Sequence, residues 1–209
     1  SGVALISVDG SGENHIVVSP GANSTLNDAH IEAAFNAIDD SSIVLLQLEI
    51  SMATVTKAIA LAGKKNCRVI LDPAPAQELP ASIMKGVYLL TPNESEAEIL
   101  TGVRVHDENS ARQAAGKLLA AGAENVSITL GSKGVFLANG GSDRLISAPA
   151  VDAVDTTAAG DCFNGALAVS LASGNSLPES MDFACRVASI SVTRLGAQDS
   201  MPYINEIEQ

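Results

Sequence analysis

Ile43-Val-Leu-Leu-Gln-Leu48, a helical stretch from Met52 to Gly63, then Val69-Ile-Leu71: this segment decides the fold. The first run is almost continuously apolar and of strand length, which is how a strand covered on both faces of a parallel sheet reads. The helix after it ends at a glycine followed by two lysines, a C-terminal signal. Asp72-Pro-Ala-Pro75 stops the next strand, because proline cannot donate to a ladder. Strand, helix, strand with short connections predicts parallel strands joined by a helical crossover. Downstream the rhythm continues. Val87-Tyr-Leu-Leu90 reads as a strand running into Thr91-Pro-Asn93 and an acidic helix from Glu94 to about Thr101. A helix over 111–121, a strand over Val126–Leu130 and a turn at Gly131-Ser-Lys-Gly134 follow. Val135–Ala138 and Arg144–Ser147 form a second hairpin. Two helices rich in small residues close the chain, from about Ala159 to Ser173 and from Leu177 to about Val192. Upstream, Gly2–Val8 and His15–Val18 flank the turn chemistry of Asp9–Asn14 and predict a hairpin. Asn27 caps a helix reaching about Ile38, with Ala29, Ala33, Ala34, Ala37 and Ile38 at helical spacing. The expected fold is therefore α/β: a mostly parallel sheet flanked by helices over residues 21–209, with a small β-hairpin over 1–20.

Composition narrows the function. The chain has 209 residues, 46% apolar and 17% charged, so it carries enough apolar surface to fold as a domain. Its formal net charge of −12 argues against a broad basic face for nucleic acid or an anionic membrane. An anionic small substrate would need a local site of backbone amides or a metal. The 3 cysteines, Cys67, Cys162 and Cys185, are irregularly spaced and suit a reducing, cytoplasmic setting rather than a disulfide framework or zinc site. The 3 histidines form no helical metal-binding pair. No apolar run approaches membrane-span length, and Val3–Val8 lacks a basic leader. The chain opens inside a strand without an initiator Met, so a preceding N-terminal part is expected.

In open α/β sheets ligands bind at the carboxyl ends of strands, and four such segments carry candidate chemistry. In Asp155-Thr-Thr-Ala-Ala-Gly-Asp161 a helix begins among small side chains. Bare amides at Ala158, Ala159 and Gly160 would form an anion hole at a helix N-terminus. An aspartate beside that hole can accept a proton from a hydroxyl attacking phosphorus. The plainer reading is an acidic first turn. Asn93-Glu-Ser-Glu96 reads either as a reciprocal helix cap or as oxygen ligands organising hydrated Mg²⁺. Thr129-Leu-Gly-Ser-Lys-Gly134 is neither a Walker A loop nor GxGxxG; it is a turn that lets backbone approach a ligand. Gln47-Leu-Glu49 places a carboxylate at a strand end, where it is either solvated or in reach of sugar hydroxyls.

Together these segments resemble the phosphofructokinase-B (ribokinase) family of carbohydrate kinases. The residues that carry the resemblance are Ser1-Gly-Val-Ala-Leu-Ile6, Gly21-Ala-Asn23, Gln47-Leu-Glu49, Asp72-Pro-Ala-Pro-Ala76, Thr91-Pro-Asn93-Glu-Ser-Glu96, Thr129-Leu-Gly-Ser132, Ala153–Asp161 and Gly196-Ala-Gln198, in the family's order. The resemblance implies ATP-dependent phosphorylation of a sugar's primary hydroxyl, D-ribose to ribose 5-phosphate first among the substrates, with fructokinase and nucleoside kinase as alternatives. It implies Asp161 as the base, Ala158, Ala159 and Gly160 as the anion hole, and Asn93 and Glu96 as organisers of Mg²⁺ and phosphates. It implies a nucleotide site along Thr129, Gly131, Ser132, Lys133 and Gly134 with Cys185 near the adenine, and sugar contacts at Glu49, Asp155 and Asp161. It further implies a K⁺ ion held by the Asp155 side chain, Ser200, and main-chain oxygens of Thr157, Ser191, Arg194 and Gly196. The N-terminal hairpin would be part of a lid through which family members dimerise. Ala158 stands where many relatives have glycine, and the family's N-terminal sugar-gripping region does not appear in the chain. A lone chain of this kind is expected to self-associate through exposed sheet surface. The reading from a different class is a non-catalytic nucleotide-binding fragment.

Overall fold

Alternation of side chains along the strands builds the molecule. The computed structural model describes residues 2–8 and 14–207. Strands β3 (Ile43–Leu46), β4 (Arg68–Leu71), β5 (Leu89–Leu90), β6 (Asn125–Thr129), β7 (Val135–Ala138) and β8 (Arg144–Ile146) form one sheet in that spatial order. The first four run parallel; β7 and β8 are antiparallel to their neighbours. Val69, Leu71, Leu90, Phe136 and Ala138 point into one core; Ile70, Leu89, Val135 and Leu137 point into the other. A strand buried on both faces needs this double apolar set.

Helices α1 (Asp28–Ala37), α2 (Met52–Lys64), α3 (Ala81–Met84), α4 (Glu94–Thr101) and α5 (Glu108–Ala121) supply the first core. Helices α6 (Ala159–Ala172) and α7 (Leu177–Ser191) pack as a hairpin over the second face, and a last short turn, α8 (Ile204–Ile207), docks beside α7. Sequence caps set the helix starts. Asn27 accepts from the amides of Ala29 and His30, and Ser51 from Thr54. Asp107 and Ser110 cap α5 reciprocally, so that helix begins at Glu108, earlier than the apolar spacing suggests.

β1 (Val3–Val8) and β2 (Asn14–Ser19) pair antiparallel as a separate two-stranded sheet, in register from Val3 opposite Ser19 to Val8 opposite Asn14. The turn expected at Asp9–Asn14 lies, for residues 9–13, outside the described residues.

Two expectations need correction. The alanines of α1 are not its core face. Ile31 and Phe35 are buried, while Ala29, Ala33, Ala34 and Ala37 are exposed, because larger apolar side chains gain more from leaving water than alanine does. The run at Ile43 is not a strand covered on both faces either. β3 is the edge of the described sheet, and Leu45 is 42% exposed. A run of apolar residues reports strand length but not which strand lies next to it.

Candidate active site

The carboxyl end of β6, the segment after β8, the start of α6 and the C-terminal half of α7 face a cleft of about 440 Å³. Its wall includes Thr129, Gly131, Ser132, Gly134, Thr156, Ala159, Gly160, Phe163 and Cys185. Two features shape the loop after β6. Thr129 pairs with Asn93 through an isolated parallel bridge, and its amide donates to the Pro92 carbonyl at 3.0 Å, so the two strand-end loops lie side by side. Gly134 has φ +100°, and a Cβ there would stand 2.1 Å from the Ile146 carbonyl oxygen. Only glycine lets that backbone approach.

The start of α6 is unusual. Its N-cap, Ala158, is left-handed at φ 59°, ψ 18°, a conformation unfavourable for a residue with a Cβ. That turn splays the amides at the head of the helix. The Ala159 amide donates to the Thr156 carbonyl at 3.2 Å. It is therefore occupied, which corrects the expectation of three bare amides. Among the described residues, the Ala158 and Gly160 amides have no protein acceptor. Unsatisfied N–H groups at a helix N-terminus with its positive dipole end favour an anion.

Asp161 follows in the first turn of α6 with an exposed side chain. Its charge reaches Asp72, at the end of β4, as does that of Glu96. Asp72 is held up to about 7, foremost by burial and then by those two like charges. Its carboxylate accepts from Asn164 Nδ2 at 2.9 Å, while the buried Asn164 Oδ1 has no partner. The motif Asp72-Pro-Ala-Pro-Ala76 thus carries a carboxyl group into the site, and Asn164, not singled out from the sequence, steers it. The two lie far apart in the chain, and no local signal joins them.

Asn93 and Glu96 form the reciprocal cap that their spacing allows: Asn93 Oδ1 accepts from the Glu96 amide at 2.9 Å, and Glu96 Oε2 from the Asn93 amide at 2.8 Å. Burial raises the Glu96 carboxyl above the ordinary value. Lys133 lies away from the cleft wall, and its ammonium donates to the His106 carbonyl at 3.2 Å. Backbone amides, rather than that lysine, supply the positive end of the cleft. Burial pushes the Cys185 thiol up to about 11; the wall there stays neutral at ordinary pH.

A second cluster ties the loop before α6 to the loop after α7. Asp155 Oδ1 accepts from the Thr157 amide and Oδ2 from the Gly196 amide, each at 2.9 Å. Hydrogen bonding, that with Thr157 first, holds the Asp155 carboxyl low. The Ser191 carbonyl accepts from the Arg194 amide at 3.0 Å, the Arg194 side chain pairs with Glu206 at 2.7 Å, and the buried Ser200 hydroxyl donates to the Ala197 carbonyl at 2.8 Å. Glu49 is exposed at the end of β3, and Asn23 Nδ2 donates to its Oε2 at 3.4 Å. The Glu49 amide in turn bonds the Gln47 side chain. No helix among the described residues is long and apolar enough to cross a membrane.

Open amides at a helix start beside a carboxylate, on the strand-end side of an α/β sheet, are groups that could receive a transferring phosphoryl group and the proton it displaces. Residues 1–204 match the pfkB family carbohydrate kinase profile, and the chain belongs to that family. It is 45% identical over 202 residues to a ribokinase of Haemophilus influenzae, covering 97% of this chain and 66% of that protein. A crystal structure of ribokinase from Thermotoga maritima superposes with a TM-score of 0.88 at 42% identity, covering 100% of this chain and 68% of the other. The structure of Arabidopsis thaliana ribokinase complexed with ribose and ATP also superposes at 0.88, with 33% identity over 99% of this chain and 68% of that one. The chain thus spans about two thirds of the length of these relatives.

Proposed function

We propose that the protein transfers the γ-phosphoryl group of ATP to the primary hydroxyl of a pentose, forming ribose 5-phosphate from D-ribose. The observation that carries this reading is the left-handed turn at Ala158, which leaves the Ala158 and Gly160 amides without acceptors one turn from the Asp161 carboxylate. Asp161 accepts the proton of the sugar hydroxyl as its oxygen attacks phosphorus. The amides receive the charge that builds on the transferring group. They are already oriented, and such preorganised donors lower a barrier without reorganising during reaction. Likeness to ribokinases, one of them complexed with ribose and ATP, supports the choice of substrates.

Two cations fit the donor sets. Near Asn93 and Glu96, Glu96 Oε2 is spent on the cap while the remaining carboxylate oxygen, with Asp72 in electrostatic reach, suits a hydrated Mg²⁺. The oxygens of Asp155, Thr157, Ser191, Arg194, Gly196 and Ser200 form an all-oxygen set with one carboxylate, which suits K⁺; each hydrogen-bonded oxygen keeps a further lone pair. When bound, such ions offset charge on the phosphates and on the anion hole's surroundings. On the same reading Glu49, Asp155 and Asp161 face the sugar. β1 and β2 belong to a lid whose strands would pair with those of a second copy. The free cysteines suit the cytoplasm.

The test is ADP release from ATP, Mg²⁺ and K⁺ with and without D-ribose. Ribose-dependent release with matching ribose 5-phosphate supports the proposal. ATP binding without ribose-dependent turnover would replace it with a non-catalytic nucleotide-binding role.

A further inference from the structure

The wall that α7 presents to the cleft consists of Cys185, Ala188, Ser189 and Val192. Their spacing of three and four residues puts them on one stripe of the helix. Across from them stand Ala148, Pro149 and Val151. Among these seven residues Ser189 carries the hydroxyl; the cleft's other hydroxyls belong to Thr129, Ser132 and Thr156. The residue is 7% exposed, and among the described residues its hydroxyl has no hydrogen-bond partner. Its neighbours differ: Ser191 donates to the Ala188 carbonyl at 2.9 Å and Thr193 to the Ile190 carbonyl at 2.7 Å. A hydroxyl that opens on a cleft and finds nothing in the protein is left to solvent and stays free to bond a ligand. A ligand filling the slot displaces that solvent and has to supply the hydroxyl with a partner in its place.

We infer that Ser189 is the polar contact that orients the nucleoside end of the bound nucleotide, its hydroxyl hydrogen-bonding a polar edge of that group. The inference rests on the reading of the cleft as a nucleotide site. A flat, mostly apolar group between Pro149, Val151 and the α7 stripe leaves its polar edge in need of a partner, and small-molecule sites characteristically combine such walls with a few placed polar groups. The triphosphate end is accounted for by the Ala158 and Gly160 amides, so Ser189 acts on the part common to ATP and ADP. It is a positioning residue: it takes no part in the transfer itself.

The experiment compares the protein with Ser189→Ala by calorimetric titration with ATP and with ADP, by thermal midpoint without nucleotide, and by steady-state kinetics. Both affinities should fall by the same factor, roughly 3- to 10-fold for one neutral hydrogen bond. KM for ATP should rise while kcat holds. The nucleotide-free midpoint should stay level, since the hydroxyl bonds nothing within the protein. Equal affinities in the two proteins would overturn the inference. So would an affinity loss that comes with a lowered nucleotide-free midpoint, which marks a structural role. If the unaltered protein binds neither ATP nor ADP, the cleft itself has been misread and Ser189 falls with it.

Discussion

Replacing Asp72 by asparagine separates charge from shape at the centre of the site. Asp72→Asn keeps an oxygen that can accept from Asn164 Nδ2, now at 2.9 Å, and removes the ionisable proton. In the folded protein the Asp72 carboxyl titrates at about 7 instead of 3.8, because burial and then the charges of Glu96 and Asp161 oppose its ionised form. The folded value is raised. Its contribution to stability is therefore fully present below about pH 4 and is lost as pH rises through 7. At 1.36 kcal/mol per pH unit, the ionised side chain costs the folded state on the order of 4 kcal/mol above pH 7. Urea unfolding of both proteins at pH 4, 6 and 8, with divalent ions chelated and nucleotide left out, reads this directly. The variant should be the more stable at pH 8, by up to that amount, and the gap should close towards pH 4. A constant difference across the range, or a gap that widens as pH falls, would refute the reasoning.

Two further substitutions probe the backbone. Ala158→Gly relieves a left-handed alanine, worth about 1–2 kcal/mol, against about 0.4–1 kcal/mol of added unfolded-state entropy; calorimetry should show a melting point raised by roughly 2 °C, and a lowered one contradicts the strain argument. Gly134→Ala drives a Cβ to 2.1 Å from the Ile146 carbonyl oxygen and 2.6 Å from the Ala148 amide nitrogen, both main-chain atoms; it should cost at least about 2 kcal/mol and weaken nucleotide binding, and a neutral melt would show that the loop yields freely.

Much of the fold is legible in the chain because its signals are local. The double apolar faces at Val69–Leu71 and Leu89–Leu90, and the caps at Asn27 and Asn93, each act within a few residues. What the chain hides is long-range. The apolar run at Ile43 does not disclose that β3 is an edge. The pairing of Asp72 with Asn164 joins two different secondary-structure elements. The density of small residues at 156–160 marks a turn with exposed amides, yet it does not say that Thr156 takes up the Ala159 amide while those of Ala158 and Gly160 stay open. Lys133 belongs to the nucleotide-site turn that the resemblance implies, and only the tertiary approach of the His106 carbonyl shows where its ammonium goes. Ser189 escapes a search of strand ends because it lies in the last turn of a helix, where only the shape of the cleft gives it meaning.

The most direct measurement is ribose-dependent ADP release by Asp161→Asn beside the unaltered protein, with the ATP dissociation constant of each. A general base contributes roughly 10²–10⁴-fold. The variant should lose at least about a hundredfold in kcat while its ATP affinity stays within about threefold, since the cleft wall and the open amides are untouched. Equal turnover by the two proteins would contradict the role of Asp161 and the account of the site built around it.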